Sequence, residues 1–208
     1  MCTASGILMR STLFLAAAVA AIVLASGQPL ALAHGSQHSG PRHVVLVPEN
    51  EPGQTLIVRG VVYAPDGATP VGSLQLTVHQ ADAHGYYCLP PSAERDRTLP
   101  RDNCPDSPNR TARLRKSFET DSQGRYEFHT IKPGSYPHST NPAHIHFRAA
   151  GTGYPEQYPH DLWFAGDPFI SAAEADAARQ AGKFNYICEP QREGANGFRC
   201  EYNIRLQR

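Results

Sequence analysis

Short β-rich segments separated by turn residues recur along most of this chain, and they constrain its fold more than any other feature. Residues 56–63 are rich in β-branched side chains, residues 74–80 alternate apolar and polar side chains, and Pro65-Asp66-Gly67 between them has turn chemistry. These two segments are predicted to be antiparallel strands. Many short strands at short spacing are typical of a β-sandwich. The other predicted strands span 114–120, 125–131, 142–151, 162–164 and 198–204.

One helix interrupts this pattern. Residues 172–181 are rich in alanine, Ser171 and Glu174 have the spacing of a capping box, and Gly182 stands where a helix commonly ends. Residues 89–113 are poor in apolar side chains and form the longest predicted loop. The predicted fold class is therefore all-β: an antiparallel β-sandwich of transthyretin-like (prealbumin-like) size, with long loops and one short helix.

The N-terminal region has the pattern of a cleavable secretory signal. An apolar run over residues 13–24 is followed by Ala31-Leu32-Ala33, and the run is shorter than the ~20 residues of a membrane-spanning helix. We expect a signal peptide over 1–33, an extended arm over 34–54 and one domain over 55–208. The mature protein would be secreted or periplasmic, with no membrane contact after signal removal. An uncleaved membrane anchor is the alternative.

The charge balance argues against two classes of partner. Lys plus Arg and Asp plus Glu number 19 each, and the pI is near 7.1. A chain with this balance has no electrostatic reason to bind a nucleic acid or an anionic membrane. The sequence leaves open whether the protein is a monomer or a homodimer.

Four cysteines remain once the predicted signal is set aside. An even number in an exported chain suggests two disulfides, and three connectivities are open. We favour the near neighbours, Cys88 with Cys104 and Cys188 with Cys200. A zinc site made of all four is the rival interpretation, although no Cys-x-x-Cys pair supports it.

A His-x-His sequence lies in one of the predicted strands. Alternate side chains of a strand share a face, so His144 and His146 can aim two imidazoles at one point while Ile145 faces the other way. That is the geometry of a metal clamp. Two polar residues on an exposed sheet face would have the same pattern, so the strand alone does not decide between them.

The motifs around this strand distinguish between the two interpretations. They are Gln80-Ala81-Asp82-Ala83-His84-Gly85-Tyr86-Tyr87, Asp121-Ser122-Gln123-Gly124, Lys132-Pro133-Gly134-Ser135-Tyr136-Pro137, Pro142-Ala143-His144-Ile145-His146-Phe147 and Phe164-Ala165-Gly166-Asp167-Pro168. In their order and spacing they closely resemble those of the intradiol ring-cleavage dioxygenases, non-haem iron(III) enzymes that include the catechol and protocatechuate dioxygenases. The resemblance covers roughly residues 56–170.

The resemblance implies a metal site and the roles of its residues. Tyr87, Tyr136, His144 and His146 would bind Fe(III), with Tyr87 rather than Tyr86 at the end of the family's motif. Phenolate oxygens are hard, negatively charged donors that suit ferric iron. The resemblance also implies two catalytic roles: Tyr87 would dissociate and accept substrate protons, while Tyr136 would stay bound. No organic cofactor is implied.

The chain departs from the family's pattern near the site. The family commonly has an arginine where this chain has Asn141, often has glutamine where it has Asp161, and usually has an aromatic residue where it has His79. The arginine is thought to stabilise negative charge on the substrate, so its absence puts the rate and the substrate range in doubt. Arg148 lies two residues past His146 and could supply a substitute charge. Asn141, Asp161 and Arg148 are the predicted substrate-pocket residues.

The expected function follows from the resemblance. The enzyme would cleave the aromatic ring of a catechol-type diol between its two hydroxyls with O2, giving a cis,cis-muconate-type product, and the loop over 89–113 would wall the pocket. The alternative is a non-catalytic extracellular module that binds a metal or a partner. A mature N-terminus at His34 would also suit a copper site, but nothing later in the chain resembles the copper monooxygenases that have one.

Overall fold

Twelve β-strands and one α-helix make up the regular structure of residues 43–87, 112–151 and 153–208, the part of the chain that the computed structural model describes. The helix α1 spans Ala172–Gln180, and a 3-10 turn spans Gly182–Phe184. The strands are β1 (His43–Val45), β2 (Thr55–Tyr63), β3 (Gln75–Gln80), β4 (Leu114–Glu119), β5 (Arg125–Ile131), β6 (His144–Gly151), β7 (Tyr154–Gln157), β8 (Leu162–Phe164), β9 (Ile187–Cys188), β10 (Gln191–Glu193), β11 (Gly197–Glu201) and β12 (Ile204–Arg205).

The strands form two sheets. The first has the order β1-β5-β2-β11-β10, with β12 also pairing β2. The second has the order β4-β3-β6-β8-β9, with β7 also pairing β6. The predicted β-sandwich with one short helix is confirmed.

The prediction of a purely antiparallel arrangement is wrong. β1 pairs β5 in parallel, β2 pairs both β11 and β12 in parallel, and β8 pairs β9 in parallel. These partners meet after long excursions of the chain rather than across a tight hairpin, and such connections permit parallel pairing. β2 and β3 also belong to different sheets, so they are not the antiparallel pair that the sequence predicts.

The two sheets pack face to face through a shared apolar core. Val58 and Phe128 of the first sheet and Val78 and Phe147 of the second are almost fully buried, and the centroids of the two phenylalanine rings lie 6.1 Å apart. Burying a side chain of this size contributes about 1.5–3 kcal/mol. Because side chains alternate along a strand, the opposite face of β3 and β6 is left to polar residues.

The helix begins as its sequence predicts. The Ser171 side chain accepts a hydrogen bond from the Glu174 backbone N–H, and the Glu174 carboxylate accepts one from the Ser171 backbone N–H. This reciprocal capping box satisfies two backbone donors that would otherwise lack partners. Among the described residues, no helix is long and apolar enough to cross a membrane.

A disulfide joins the two sheets. Cys188 in β9 is bonded to Cys200 in β11, with their Cα atoms 5.7 Å apart. The structure thus contains one of the two predicted bridges. Cys88, Cys104, the predicted signal peptide and most of the predicted loop over 89–113 lie outside the described residues, and the predictions made for them stay predictions.

Candidate metal centre

The four predicted ligands come together on the polar face of the second sheet. Tyr136 Oη lies 2.9 Å from His144 Nε2 and 3.1 Å from His146 Nε2. The two Nε2 atoms are 3.0 Å apart, and Tyr87 Oη lies 2.9 Å from His146 Nε2 and within hydrogen-bond contact of Tyr136 Oη. Both tyrosines and His144 are buried. Two phenol oxygens and two imidazole nitrogens therefore share one small, protected space.

The Nδ1 atom of each histidine faces away from the centre, and its hydrogen-bond partner determines whether Nε2, which faces the centre, is available to bind a metal. His144 Nδ1 lies 2.6 Å from the carbonyl oxygen of Pro142, and His146 Nδ1 lies 2.9 Å from Asp161 Oδ1. Both partners offer acceptor oxygens, so these contacts favour the tautomer in which Nδ1 carries the proton and the Nε2 lone pair faces the centre. Two such lone pairs facing each other at 3.0 Å repel unless a cation or a proton lies between them.

The donor set fits a metal ion. Bonds of about 2.0–2.2 Å from nitrogen and oxygen ligands to one cation place neighbouring ligand atoms roughly 3 Å apart, which matches the separations at this centre. Two imidazoles with two phenol oxygens suit a transition metal, and the phenolate oxygens favour its higher oxidation state. The centre could therefore hold iron through four protein ligands.

Asp161 is also close to this centre. His144, His146 and Asp161 offer one ligand atom each within 4.8 Å of one another. The Asp161 carboxylate, however, accepts from Nδ1 of His146, on the side of the ring away from the converging Nε2 atoms. This contact suits an outer partner of a ligand better than a ligand itself.

The loop that carries Tyr87 is held by Asp82. The buried Asp82 carboxylate accepts hydrogen bonds from the backbone N–H groups of His84, at 2.8 Å, and Tyr86, at 3.1 Å. Arg113 lies 3.5 Å from the same carboxylate, and its backbone N–H donates to the carbonyl oxygen of Tyr87 at 2.9 Å. Charge and backbone bonding together fix the loop immediately before the Tyr87 side chain.

The loops of the two tyrosines touch through glycines. Gly85 has a φ of +87°, and a Cβ there would come within 2.0 Å of the carbonyl oxygen of Ser135. A Cβ at Gly134 would come within 2.6 Å of the carbonyl oxygen of Ala83. Only residues without a side chain allow two backbones to approach this closely. The two glycines thus bring Tyr87 and Tyr136 within reach of each other.

Two polar side chains join separate segments beside the centre. Gln80 at the end of β3 donates from Nε2 to the carbonyl oxygen of Ile131 at 2.9 Å and accepts from Thr130 Oγ1 at 2.9 Å. Asp167 accepts from the backbone N–H of Ala143 at 2.9 Å, immediately before the His-x-His strand. Each of these side chains spans two segments that are distant in sequence.

His79 packs against the centre. Its ring stacks on the ring of His146 with centroids 4.5 Å apart, and it also approaches the ring of Tyr87, at 6.2 Å. Burial is the largest cause, and the electrostatic influence of His146 and Arg115 adds to it; together they lower the pKa of His79 to about 3. His79 is therefore neutral at pH 7 and serves as a flat partner for the His146 ring.

An open groove of about 410 Å³ runs along the sheet face beside His146. Arg148 projects into it but is already engaged, with Glu156 at 2.6 Å and Thr77 Oγ1 at 3.3 Å. Asn141 is exposed in the turn before β6. We call this feature the polar groove; its lining includes Thr77, His79, Arg115, Arg148, Glu156 and Asp161.

Known proteins share this chain's sequence pattern. It is 32% identical over 148 residues to the protocatechuate 3,4-dioxygenase beta chain of Burkholderia cepacia, covering 66% of this chain and 58% of that protein. It is 28% identical over 144 residues to catechol 1,2-dioxygenase 2 of Acinetobacter lwoffii, covering 62% and 46%. The family model described as Dioxygenase matches residues 29–208. The chain belongs to the intradiol ring-cleavage dioxygenase family.

A solved dioxygenase domain has a similar fold. The dioxygenase domain of a dioxygenase carbohydrate-binding protein fusion from Streptomyces sp. SirexAA-E is 25% identical, with a TM-score of 0.52 over 80% of this chain and 88% of that chain. The chain spans about half the length of the two curated relatives named above.

The sequence predicted the converging residues but not the residues that support them. The sequence predicts Asp161 as a substrate-pocket residue and gives no sign of its bond to His146. It indicates His79 only as a departure from the family's pattern. The signal for Gly85 and Gly134 was present, since both lie inside the motifs that carry the resemblance. The contacts that explain them join residues about 50 positions apart, which no local pattern specifies.

Proposed function

We propose that this protein is an Fe(III)-dependent intradiol dioxygenase. It cleaves the ring of a catechol-type diol between the two hydroxyls, using O2, and gives a cis,cis-muconate-type diacid. The observation that carries the proposal is the convergence of Tyr87, Tyr136, His144 and His146 in a member of this family. The names of its relatives, catechol and protocatechuate dioxygenases, support the substrate class.

The four ligands have distinct tasks in this proposal. Ferric iron, when bound, supplies a Lewis acid that favours a catechol in its doubly deprotonated form. His144 and His146 would hold the metal through Nε2. Their Nδ1 atoms face the carbonyl oxygen of Pro142 and the carboxylate of Asp161. The two tyrosines add the negative charge that a ferric ion needs for stability.

Tyr87 is the proton acceptor in this proposal. As a phenolate it can accept a substrate hydroxyl proton, and its oxygen lies within hydrogen-bond contact of Tyr136 Oη. Its ring is adjacent to His79, which lines the polar groove. Tyr136 contacts both histidine nitrogens and remains as the second charged ligand.

The substrate approaches along the polar groove in this proposal. The groove is open to solvent and borders His146, so a planar diol can reach the centre from it. The groove contains both arginines and carboxylates, and this mixed lining does not favour one charge on the substrate. The predicted signal peptide and the Cys188–Cys200 disulfide support a secreted or periplasmic location, where disulfides persist.

Colour and oxygen uptake test the proposal. Iron-loaded protein should have a visible tyrosinate-to-iron(III) band, and Tyr136→Phe should weaken or shift it and reduce O2 uptake with catechols by at least about 100-fold, as loss of a transition-state contact does. The matched control is Tyr186→Phe, which removes a hydroxyl that donates to the carbonyl oxygen of Glu174 and does not line the polar groove.

Two other outcomes would contradict the proposal. An iron-loaded protein without a Tyr136-dependent band would exclude the ligand set. A coloured protein that consumes no O2 with any member of a panel of substituted catechols would identify a non-catalytic metal-binding module instead.

A further inference from the structure

We propose that Asp161 is a positioning residue of the metal centre, which fixes the tautomer and orientation of His146 and strengthens its electron donation. This inference rests on the proposed function. The sequence predicts Asp161 as a substrate-pocket residue, whereas in this proposal it supports a metal ligand.

The fold places Asp161 opposite the outer nitrogen of His146. Asp161 immediately precedes β8, and β8 pairs antiparallel with β6 through Ile145↔Leu162 and His144↔Trp163. The backbone ladder thus sets where the carboxylate stands, and Oδ1 lies 2.9 Å from His146 Nδ1. The contact is partly shielded, with the His146 side chain 26% and the Asp161 side chain 33% exposed.

His146 is restrained on two sides. The ring of His79 lies against its face at 4.5 Å, and Asp161 holds its outer edge. Stacking alone would still allow the imidazole to flip by 180°, which would replace Nε2 by a carbon at the centre. The bond to Asp161 opposes that flip, because the flipped ring would present a carbon to the carboxylate.

A carboxylate does more here than an amide could. A carboxylate can only accept a hydrogen bond, so it favours the tautomer with the proton on Nδ1 of His146, whereas an amide at this position can present either its oxygen or its NH2 group. Hydrogen bonds to an ionised acceptor are also stronger than neutral ones. A carboxylate behind a metal-bound imidazole raises the basicity of that ligand.

The competing interpretation is that Asp161 contacts the substrate, because it also lines the polar groove. The two roles differ in what they change. A positioning residue alters metal binding and the electronic spectrum without any substrate present, whereas a substrate contact alters only KM or the choice among catechols.

The test compares Asp161→Asn and Asp161→Ala with wild type, with Glu156→Gln as a control that removes another carboxylate from the same groove. Iron affinity is measured by chelator competition, and the tyrosinate-to-iron band is recorded without substrate. We expect Asp161→Ala to weaken iron binding about 10–100-fold. Asp161→Asn should lose less affinity but shift the band to longer wavelength, because a less electron-rich centre is easier to reduce. Glu156→Gln should leave the iron affinity and the band unchanged.

Histidine tautomers in the metal-free protein provide an independent readout. In ¹⁵N-histidine-labelled wild type, His146 should be protonated on Nδ1, and in Asp161→Ala the proton should move wholly or partly to Nε2. If Nδ1 of wild-type His146 carries no proton, or if affinity, band and tautomer are unchanged in both variants, the positioning role is overturned. If wild type binds no iron, the proposed function fails, while the tautomer measurement still decides the role of Asp161.

Discussion

At the residue scale, His79 couples the stability of the fold to pH. Its pKa is about 3 in the folded protein because burial disfavours the charged ring, against 6.5 for an ordinary histidine. Between these two values the unfolded chain binds a proton that the folded chain does not. The free energy of unfolding should therefore fall as the pH is lowered from about 7 towards 3.

Replacing His79 by phenylalanine should reduce this acid sensitivity. Phenylalanine keeps a flat ring against His146 but cannot bind a proton, so the variant should lose up to about 2 kcal/mol less stability than wild type between pH 7 and pH 5. Urea unfolding of the two metal-free proteins at both pH values measures the difference. An equal loss in both would show that His79 is not responsible.

At the element scale, the centre depends on two loops that pack through their backbones. The segment before Tyr87 and the segment before Tyr136 meet where Gly85 faces Ser135 and Gly134 faces Ala83. The Gly134 backbone N–H also donates to the carbonyl oxygen of Asp82 at 2.9 Å. The sheets position the histidines, while this loop pair positions the tyrosines.

Gly85→Ala should therefore damage the centre more than the sandwich. The new Cβ collides with backbone and the φ of +87° becomes strained, so the loops should separate and destabilise the protein by about 1–3 kcal/mol. Iron loading and the visible band should fall sharply, while the far-ultraviolet circular dichroism should stay close to that of wild type. Gly166→Ala is the matched control, since Gly166 also has positive φ, +83°, but a Cβ there meets nothing within 4 Å. Equal loss of iron in both variants would mean that strain alone, rather than the close approach, is responsible.

At the scale of the whole molecule, the Cys188–Cys200 disulfide connects the two layers of the sandwich. β9 belongs to the second sheet and β11 to the first, and the bridged residues are 12 positions apart. A short closed loop removes less entropy from the unfolded chain than a long one, and about 2–3 kcal/mol is expected for this length.

The double variant Cys188→Ser/Cys200→Ser should lower the free energy of unfolding by about that amount in urea. Reductant should have a smaller effect on the double variant than on wild type. If the variant is as stable as oxidised wild type, the bridge does not contribute to holding the sheets together.

Local sequence patterns predicted most of the elements and indicated which side chains converge at the centre. β5 lies at Arg125–Ile131 and α1 starts at Ala172 behind its capping box, as predicted, because alternation and capping depend on neighbouring residues. The His-x-His spacing places two imidazoles on one face for the same reason. Tyr87 and Tyr136 were found through the family's motifs.

Only the tertiary structure decided which strands pair and what supports the ligands. The separation of β2 from β3 into two sheets, the parallel pairing of β11 with β2, and the contacts of Asp161, His79 and Gly85 all join residues far apart in the chain. Such pairings depend on which apolar faces are buried against each other and on how closely the backbones approach. These are properties of the packed molecule, and no window of sequence contains them.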